Sequence, residues 1–289
     1  MSKAAELAAL IANVNNGSSL GNKNLLINSS FAVNQRGAST VTSGYFLDRW
    51  TITSASATAQ LTSGLPDGFS YGMSIAATSG NPIATQRIEA KNLENISGKI
   101  VTLSFYAKDL GNVGALYASL QTANSADNFG GTTTISEQTL TSDVPTSWTQ
   151  YTCSWTVPAA GLNGLALNIL CAGSSTFTLG IGAPHLEIGE KATEFEHELF
   201  DVTLEKCQRY YQAENYADHY RAMRTTDGKS QVVTKWKKTM RSQPTVTASF
   251  ENATPDTPIN IRESWGFTSL HGDETTDYYF NGWTADAEL

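Results

Sequence analysis

Residues 149–157 read Thr-Gln-Tyr-Thr-Cys-Ser-Trp-Thr-Val, so that Tyr151, Cys153, Trp155 and Val157 alternate with Gln150, Thr152, Ser154 and Thr156. Successive side chains of a strand point to opposite faces, so this pattern predicts a strand with one face in a core and one in solvent. The same alternation recurs on both sides of it. Residues 100–107 place Val101, Leu103 and Phe105 on one face, and residues 115–120 place Leu116, Ala118 and Leu120 together. Leu165, Leu167 and Ile169 line a further face, followed by Phe177, Leu179 and Ile181. Glycine- and serine-rich turns separate the runs. Many short alternating strands with such punctuation predict a mainly β chain built on a sandwich or barrel. Strand–helix–strand alternation is missing, which argues against a doubly wound nucleotide fold.

Working outward, residues 25–27 (Leu-Leu-Ile) and 46–52 (Phe-Leu-Asp-Arg-Trp-Thr-Ile) read as further strands. Ahead of them, Ala4, Leu7, Ile11 and Val14 fall at heptad a/d spacing. That seam predicts a short amino-terminal helix, able to dock on its own domain or to open a parallel oligomeric bundle. Two heptads are too short to hold alone, since helices below ~12–15 residues are marginal in water. Near Glu198 the texture changes. Residues 199–211 carry helical spacing, with Leu199, Val202, Cys207 and Tyr210 as the expected buried stripe. Aromatic-rich strands are expected over 232–240, 246–250, 259–270 and 278–283. The 289 residues thus divide into a helix and linker (1–23), a β-sandwich (24–197) and a smaller carboxyl-terminal β-rich domain (198–289), in keeping with ~100–200 residues per domain.

Charged residues make up only 16% of the chain against 40% hydrophobic, well under the ~25% charge of ordinary soluble domains. Ser, Thr, Asn, Gln and Gly must carry solubility, a surface suited to meeting other chains or sugars without desolvating charge. The net charge of −8 excludes nucleic acid as the main partner, because a phosphate-binding face needs clustered Lys and Arg. The one basic cluster, Lys235, Lys237, Lys238 and Arg241, reads as a solvated strand face. An apolar run of ~18 residues would be needed for a membrane span, and none is present. No signal-type leader opens the sequence. Cys153, Cys171 and Cys207 lack C-x-x-C spacing, and the first two read as buried free thiols.

Catalytic patterns are sparse. Gly17-Ser18-Ser19-Leu20-Gly21 matches G-x-S-x-G, but a helix precedes it and a strand follows, the reverse of a nucleophile elbow. Gly228-Lys229-Ser230 ends like a phosphate loop, yet Met223 stands where the first glycine belongs, so a hairpin turn is expected. His185, His197, His219 and His271 lack metal-ligand spacing. Glu187, Glu190, Glu194 and Glu196 read as a solvated strand edge, and Asp273, Glu274 and Asp277 as an acidic surface turn rather than a calcium site. No catalytic residue, metal ligand or cofactor is assigned. Trp50, Trp148 and Trp155 lie in strand patterns and read as packing residues. Trp265, His271, Tyr278, Tyr279 and Trp283 are the candidate ligand-binding residues. Exposed aromatic rings form stacking platforms for the apolar faces of sugars, and core or interface packing is the competing role for each.

Several segments in one order resemble phage tail-fiber and related virion structural proteins that carry a carbohydrate-binding-module-like jelly roll. They are Asn24-Leu25-Leu26-Ile27-Asn28, Phe31, Asn34-Gln35-Arg36-Gly37, residues 45–50 (Tyr-Phe-Leu-Asp-Arg-Trp), Gln86-Arg87-Ile88-Glu89, residues 98–107 and 148–157, Leu186-Glu187-Ile188-Gly189 and residues 192–197. The join Cys207-Gln208-Arg209-Tyr210-Tyr211, the segment 240–246 (Met-Arg-Ser-Gln-Pro-Thr-Val) and the closing 284–289 extend the likeness to the end of the chain. One departure stands out. Relatives show a run like Val-Gln-Leu-Glu where this chain has Pro184-His185-Leu186-Glu187, which bears on how the last sandwich strand packs.

The resemblance implies a jelly-roll fold, a homotrimer and a place on the virion exterior among other phage virion proteins. It carries over no defined sugar site. A fiber-type component that binds host cell-surface polysaccharide is the leading expectation, with Ala4, Leu7, Ile11 and Val14 as the oligomerisation seam. A purely structural capsid knob, decoration protein or tail adaptor is the alternative. A glycan-degrading enzyme is the third reading.

Overall fold

The computed structural model describes residues 3, 23–78, 80–173, 176–221, 223–224, 230–251, 259–262, 264–271 and 279–289, with the side chains of 215–221, 223–224, 230–232, 251, 270–271 and 279 left out. Ala4, Leu7, Ile11, Val14 and the Gly17–Gly21 motif therefore lie outside the described residues, as do Asp273, Glu274, Asp277 and Tyr278. The chain forms two compact units, Met1–Asn34 with Ala38–Glu198 and Gln35–Gly37 with Leu199–Leu289.

In the first unit the described residues form two antiparallel sheets. The six-stranded sheet has the order β1 (Gly44–Tyr45), β2 (Thr51–Thr53), β5 (Ile83–Ile88), β10 (Leu165–Cys171), β7 (Leu116–Ser125), β8 (Asn128–Thr141). The five-stranded sheet has the order β3 (Ala57–Leu61), β4 (Gly72–Ala77), β11 (Phe177–Ile188), β6 (Ile100–Gly111), β9 (Thr149–Thr156). The chain crosses between the sheets after β2, β4, β5, β6, β8, β9 and β10, which makes the unit a jelly-roll sandwich. Its core is the set of inward-facing residues foreseen from alternation: Val101, Leu103 and Phe105 from β6, Cys153 and Trp155 from β9, and Leu165, Leu167 and Ile169 from β10.

Of the predicted strand 46–52 only Thr51 and Ile52 are strand, in β2, and the predicted strand 25–27 does not form. Residues 46–50 form a turn in which Phe46 N–H donates to Trp50 O (3.0 Å) and Trp50 N–H to Leu47 O (2.9 Å). Arg49 sits there at φ +72°, a left-handed conformation that interrupts a strand. The turn nonetheless buries Phe46, Leu47 and Trp50 completely. Residues 25–27 run beside β5 without joining it. Buried Gln86 takes the place of a strand partner: its Oε1 accepts from Ile27 N–H (2.6 Å) and its Nε2 donates to Ile27 O (2.8 Å). The unusual Pro184-His185 pair falls at a bulge in β11, where the register against β6 shifts between Gly182 and His185. The strand then continues buried through Glu187.

The second unit holds helix α1 (Phe200–Gln208) and two smaller sheets among its described residues. One has the order β12 (Tyr211–Arg221), β18 (Tyr279–Asp286), β15 (Thr245–Glu251). The other has the order β13 (Met223–Arg224), β14 (Ser230–Lys235), β17 (Gly266–His271), β16 (Asn260–Arg262). The expected run 232–240 ends as a strand at Lys235, and the run 259–270 is two strands joined at Trp265. Met223 pairs with Gln231 and Arg224 with Ser230, while Gly228 and Lys229 of the expected hairpin turn lie outside the described residues.

Helix α1 buries Thr203 and Cys207, four residues apart and so on one face. The expected stripe is corrected there. Leu199 is 77% exposed and Val202 40%, because Leu199 precedes the first turn and Val202 points away from the Thr203–Cys207 face. Gln35–Gly37 belongs to this unit: Arg36 pairs with Asp286 at 3.0 Å and lies 3.7 Å over the Tyr211 ring.

Candidate functional site

Trp283 is a core residue, not a platform. It is 3% exposed, with ring centroids 5.5 Å from Trp236 and 5.7 Å from Phe267. Alternation along β18 turns it inward with Ala285, and the register shift at Asn281 brings Phe280 to the same core. Trp265 is 39% exposed in the turn between β16 and β17, where its carbonyl accepts from Trp236 N–H. His271 ends β17 and Tyr279 begins β18, with side chains outside the described set. Of the predicted group, Trp265 alone is therefore placed with an accessible ring among the described side chains. The basic cluster is not a strand face either. Lys237 and Lys238 follow β14 in bends, where they pair with Glu214 (3.7 Å) and Glu205, while Arg241 Nε donates to Ala287 O.

The outer face of the five-stranded sheet is roofed. Pro66 lies against Gly182, Leu65 against Gly72, and the Trp148 ring against Gly180. Trp148 Nε1 donates to Gly64 O at 2.6 Å, so this indole packs outside the sandwich. Phe69 stacks near Tyr106 (5.9 Å), Phe195 (5.2 Å) and His197 (5.2 Å). Under this cover Glu187 is 3% exposed and accepts from Thr193 N–H at 2.6 Å and from the Thr193 hydroxyl. Its expected place on a solvated edge is corrected, because an outward-facing position of β11 here lies beneath the 189–197 segment. His185 beside it is 1% exposed, 3.9 Å from Glu187 Oε1, and burial holds its pKa below the ordinary histidine value against the opposing pull of Glu187 and Glu196.

The outer face of the six-stranded sheet carries a different pattern. Ala84, Leu116, Ala118, Ile169 and Cys171 point into the core, so their neighbours Ile83, Tyr117 and Leu170 point out. Pairing sets Thr53, Ile83, Leu170, Tyr117 and Thr139 in one row across five strands. Thr51, Thr85, Asn168, Ser119 and Glu137 form the next row. At ~4.8 Å between strands each row spans roughly 19 Å. The first row offers half-buried Ile83, Leu170 and Tyr117 as an apolar strip between exposed threonines. The second is a hydrogen-bonded polar line: Thr85 Oγ1 donates to Asn168 Oδ1 (2.6 Å), and Asn168 Nδ2 to Ser119 Oγ (3.2 Å). Gln121 adds an amide alongside, held by Thr132 (2.9 Å) and Thr134 (3.3 Å). Ser119 and Asn168 are buried, at 3% and 7% exposure, so the accessible surface is the aromatic and aliphatic strip with its flanking threonines and the Gln121 amide, which suits a sugar chain lying across the strands.

This face was readable but unread. The alternation that assigns Leu116, Ala118 and Leu120 to the core equally assigns Tyr117, Ser119 and Gln121 to the outside. What no single segment reveals is which strands stand side by side, and that is what brings Tyr117, Leu170 and Ile83 into one row.

Cys153 and Cys171 are buried free thiols pushed up to about 12 by desolvation, which removes them as nucleophiles. No three or more His, Cys, Asp or Glu side chains gather to hold a metal ion among the described residues. No helix among them is long and apolar enough to cross a membrane.

No protein-family profile matches the sequence, and no curated protein matches it. Solved structures similar to this chain include the enzymatically active domain of bacteriophage CBA120 tailspike protein 4, at 15% identity and a TM-score of 0.42 over 58% of this chain. The match spans 22% of that tailspike domain. The carboxyl-terminal family 22 carbohydrate-binding module of Clostridium thermocellum Xyn10B matches at 14% identity and a TM-score of 0.40, over 61% of this chain and 100% of the module. TmCBM61, solved with β-1,4-galactotriose, matches at 12% identity and a TM-score of 0.38, over 58% of this chain and 100% of the module.

Proposed function

We propose that this chain is a non-catalytic structural and binding protein of a tailed-phage virion, a homotrimeric fiber-type component that meets host cell-surface polysaccharide. The observation that carries the glycan reading is the half-buried row Ile83–Leu170–Tyr117 between exposed Thr53 and Thr139 on the outer face of the six-stranded sheet. The exposed Thr53, Thr134 and Thr139 hydroxyls and the half-buried Gln121 amide around it both donate and accept, as sugar hydroxyls do, and the sheet fixes them before any ligand arrives. The virion setting is supported by the ordered segments that resemble fiber-type proteins. Trimerisation through the amino-terminal heptads would help by avidity, since linked weak sites bind ~10²–10⁴-fold tighter than one.

The test is to pass the full chain over immobilised host capsule, lipopolysaccharide and wall polysaccharides while assaying the eluate for new reducing ends. Retention on at least one polysaccharide without reducing-end release is expected. Failure to bind any of them overturns the binding role, and release above the buffer level overturns the non-catalytic one.

A further inference from the structure

The open side of the jelly roll, between the free edges of β8 and β9, holds a second feature. Near their middles these edges are stitched across the sandwich. Trp155 Nε1 donates to Ser136 O at 3.1 Å, and Gln138 Nε2 donates to Ser154 O at 2.7 Å. Beyond the last stitch the sheets part. Leu120 faces Ser136 but Gln121 faces Thr134, so Ile135 is an extra residue in β8. Such a bulge bends the strand and increases its twist. The β7–β8 arm therefore swings away from β9 and leaves a groove of about 590 Å³, inside the roughly 300–1,000 Å³ range of small-ligand sites.

The groove is pre-formed. Ala123 N–H donates to Gly164 O (3.0 Å), Asp127 N–H to Asn163 O (2.9 Å), and Ala90 N–H to Asp127 Oδ1 (2.7 Å). The Phe129 ring packs on Gly164, where a Cβ would lie 2.9 Å from its Cζ, and Gly164 stands at φ +123°. Thr133 Oγ1 donates to Asn124 Oδ1 at 3.1 Å, bracing one wall.

No lining side chain is ionisable. Asn124, Thr133, Thr134, Thr156 and Asn163 offer hydroxyls and amides, while Ile135, Pro158 and Ala160 offer apolar surface. An anion or cation entering here would lose its hydration without gaining a counter-charge. A ligand with apolar C–H patches and uncharged hydroxyls loses nothing it cannot regain. We infer that this groove is a binding subsite for a neutral oligosaccharide, distinct from the Ile83–Leu170–Tyr117 strip and not dependent on it.

Methyl NMR on the full chain tests this, because each surface carries its own isoleucine: Ile135 in the groove and Ile83 on the sheet face. The probes are neutral gluco-, galacto- and xylo-oligosaccharides and their uronate counterparts. A saturable shift at Ile135 is expected with at least one neutral probe. It should survive in Tyr117→Ala and weaken at least about tenfold in Ala160→Trp, which fills the groove from an exposed position. Unchanged unfolding midpoints certify both variants. If Ala160→Trp is destabilised, Thr156→Ala at another exposed lining position serves instead. A shift confined to Ile83, an Ile135 shift that persists in the groove-blocked protein, or no Ile135 shift with any neutral probe would overturn the subsite. Equal binding of the uronates would overturn its neutral class. Loss of the Ile83 response alone counts against the sheet face and leaves the groove standing.

Discussion

The Trp155 indole, carried on the core face of β9, reaches across the sandwich to donate to the Ser136 carbonyl of β8 at 3.1 Å. One side chain thus fills the core, where it is 3% exposed, and together with Gln138, which donates to Ser154 O, bridges two sheet edges. Trp155→Phe keeps most of the ring and removes the donor. The variant should lose about 1–2 kcal/mol of stability in urea unfolding, with no change in strand content by circular dichroism. A loss below ~0.3 kcal/mol would show that the stitch contributes nothing.

Gln86 serves as strand partner for a segment that is not a strand. Gln86→Met has similar volume but strands the Ile27 amide and carbonyl together. A cost of about 2–3 kcal/mol is expected from two unmade bonds, read as a lower urea midpoint for the first unit.

The thiols give a sharper readout. Cys153, Cys171 and Cys207 are buried and free, and the first two are pushed up to about 12. Native protein at pH 8 should leave all three unreacted with an aromatic disulfide reagent over an hour. Unfolding in guanidinium should release three thiols per chain at once.

His185 makes stability depend on acid. Burial holds its folded pKa below the unfolded value, against the pull of Glu187 and Glu196 and with a small push from Lys23. The unfolded chain then takes up a proton that the folded chain refuses. This contribution is fully present above ~6.5 and is lost as pH falls from there through the folded pKa. His185→Gln, which removes the titrating imidazole, should flatten the decline in unfolding midpoint below pH ~6.5. An unchanged decline would assign the acid sensitivity elsewhere.

The sandwich was legible because its strands are half-buried. Wherever one face meets a core, as at Tyr151, Cys153 and Trp155, alternation is written into the chain. Legibility fails where a tertiary contact overrides the local pattern. Residues 46–50 look like a strand because apolar Phe46, Leu47 and Trp50 frame Asp48 and Arg49, and the left-handed Arg49 makes them a turn. Glu187 looks solvated because it is charged, and only the segment above it shows otherwise. Trp283 and Trp265 are both aromatic, but Trp283 is paired inside β18 and faces the core while Trp265 stands in the turn before β17 and stays out. The candidate face was hidden for the same reason: strand order across the sheet is a long-range property, and Tyr117 acquires its neighbours Leu170 and Ile83 only when β7, β10 and β5 lie side by side.

The sheet face stands or falls on Tyr117. Calorimetric titration of the full chain with the polysaccharide it retains, wild type against Tyr117→Ala, measures this directly. A loss of about 2 kcal/mol, roughly 30-fold in Kd, is predicted at unchanged thermal stability. An affinity unaltered by the substitution, in a protein that folds normally, would contradict the account.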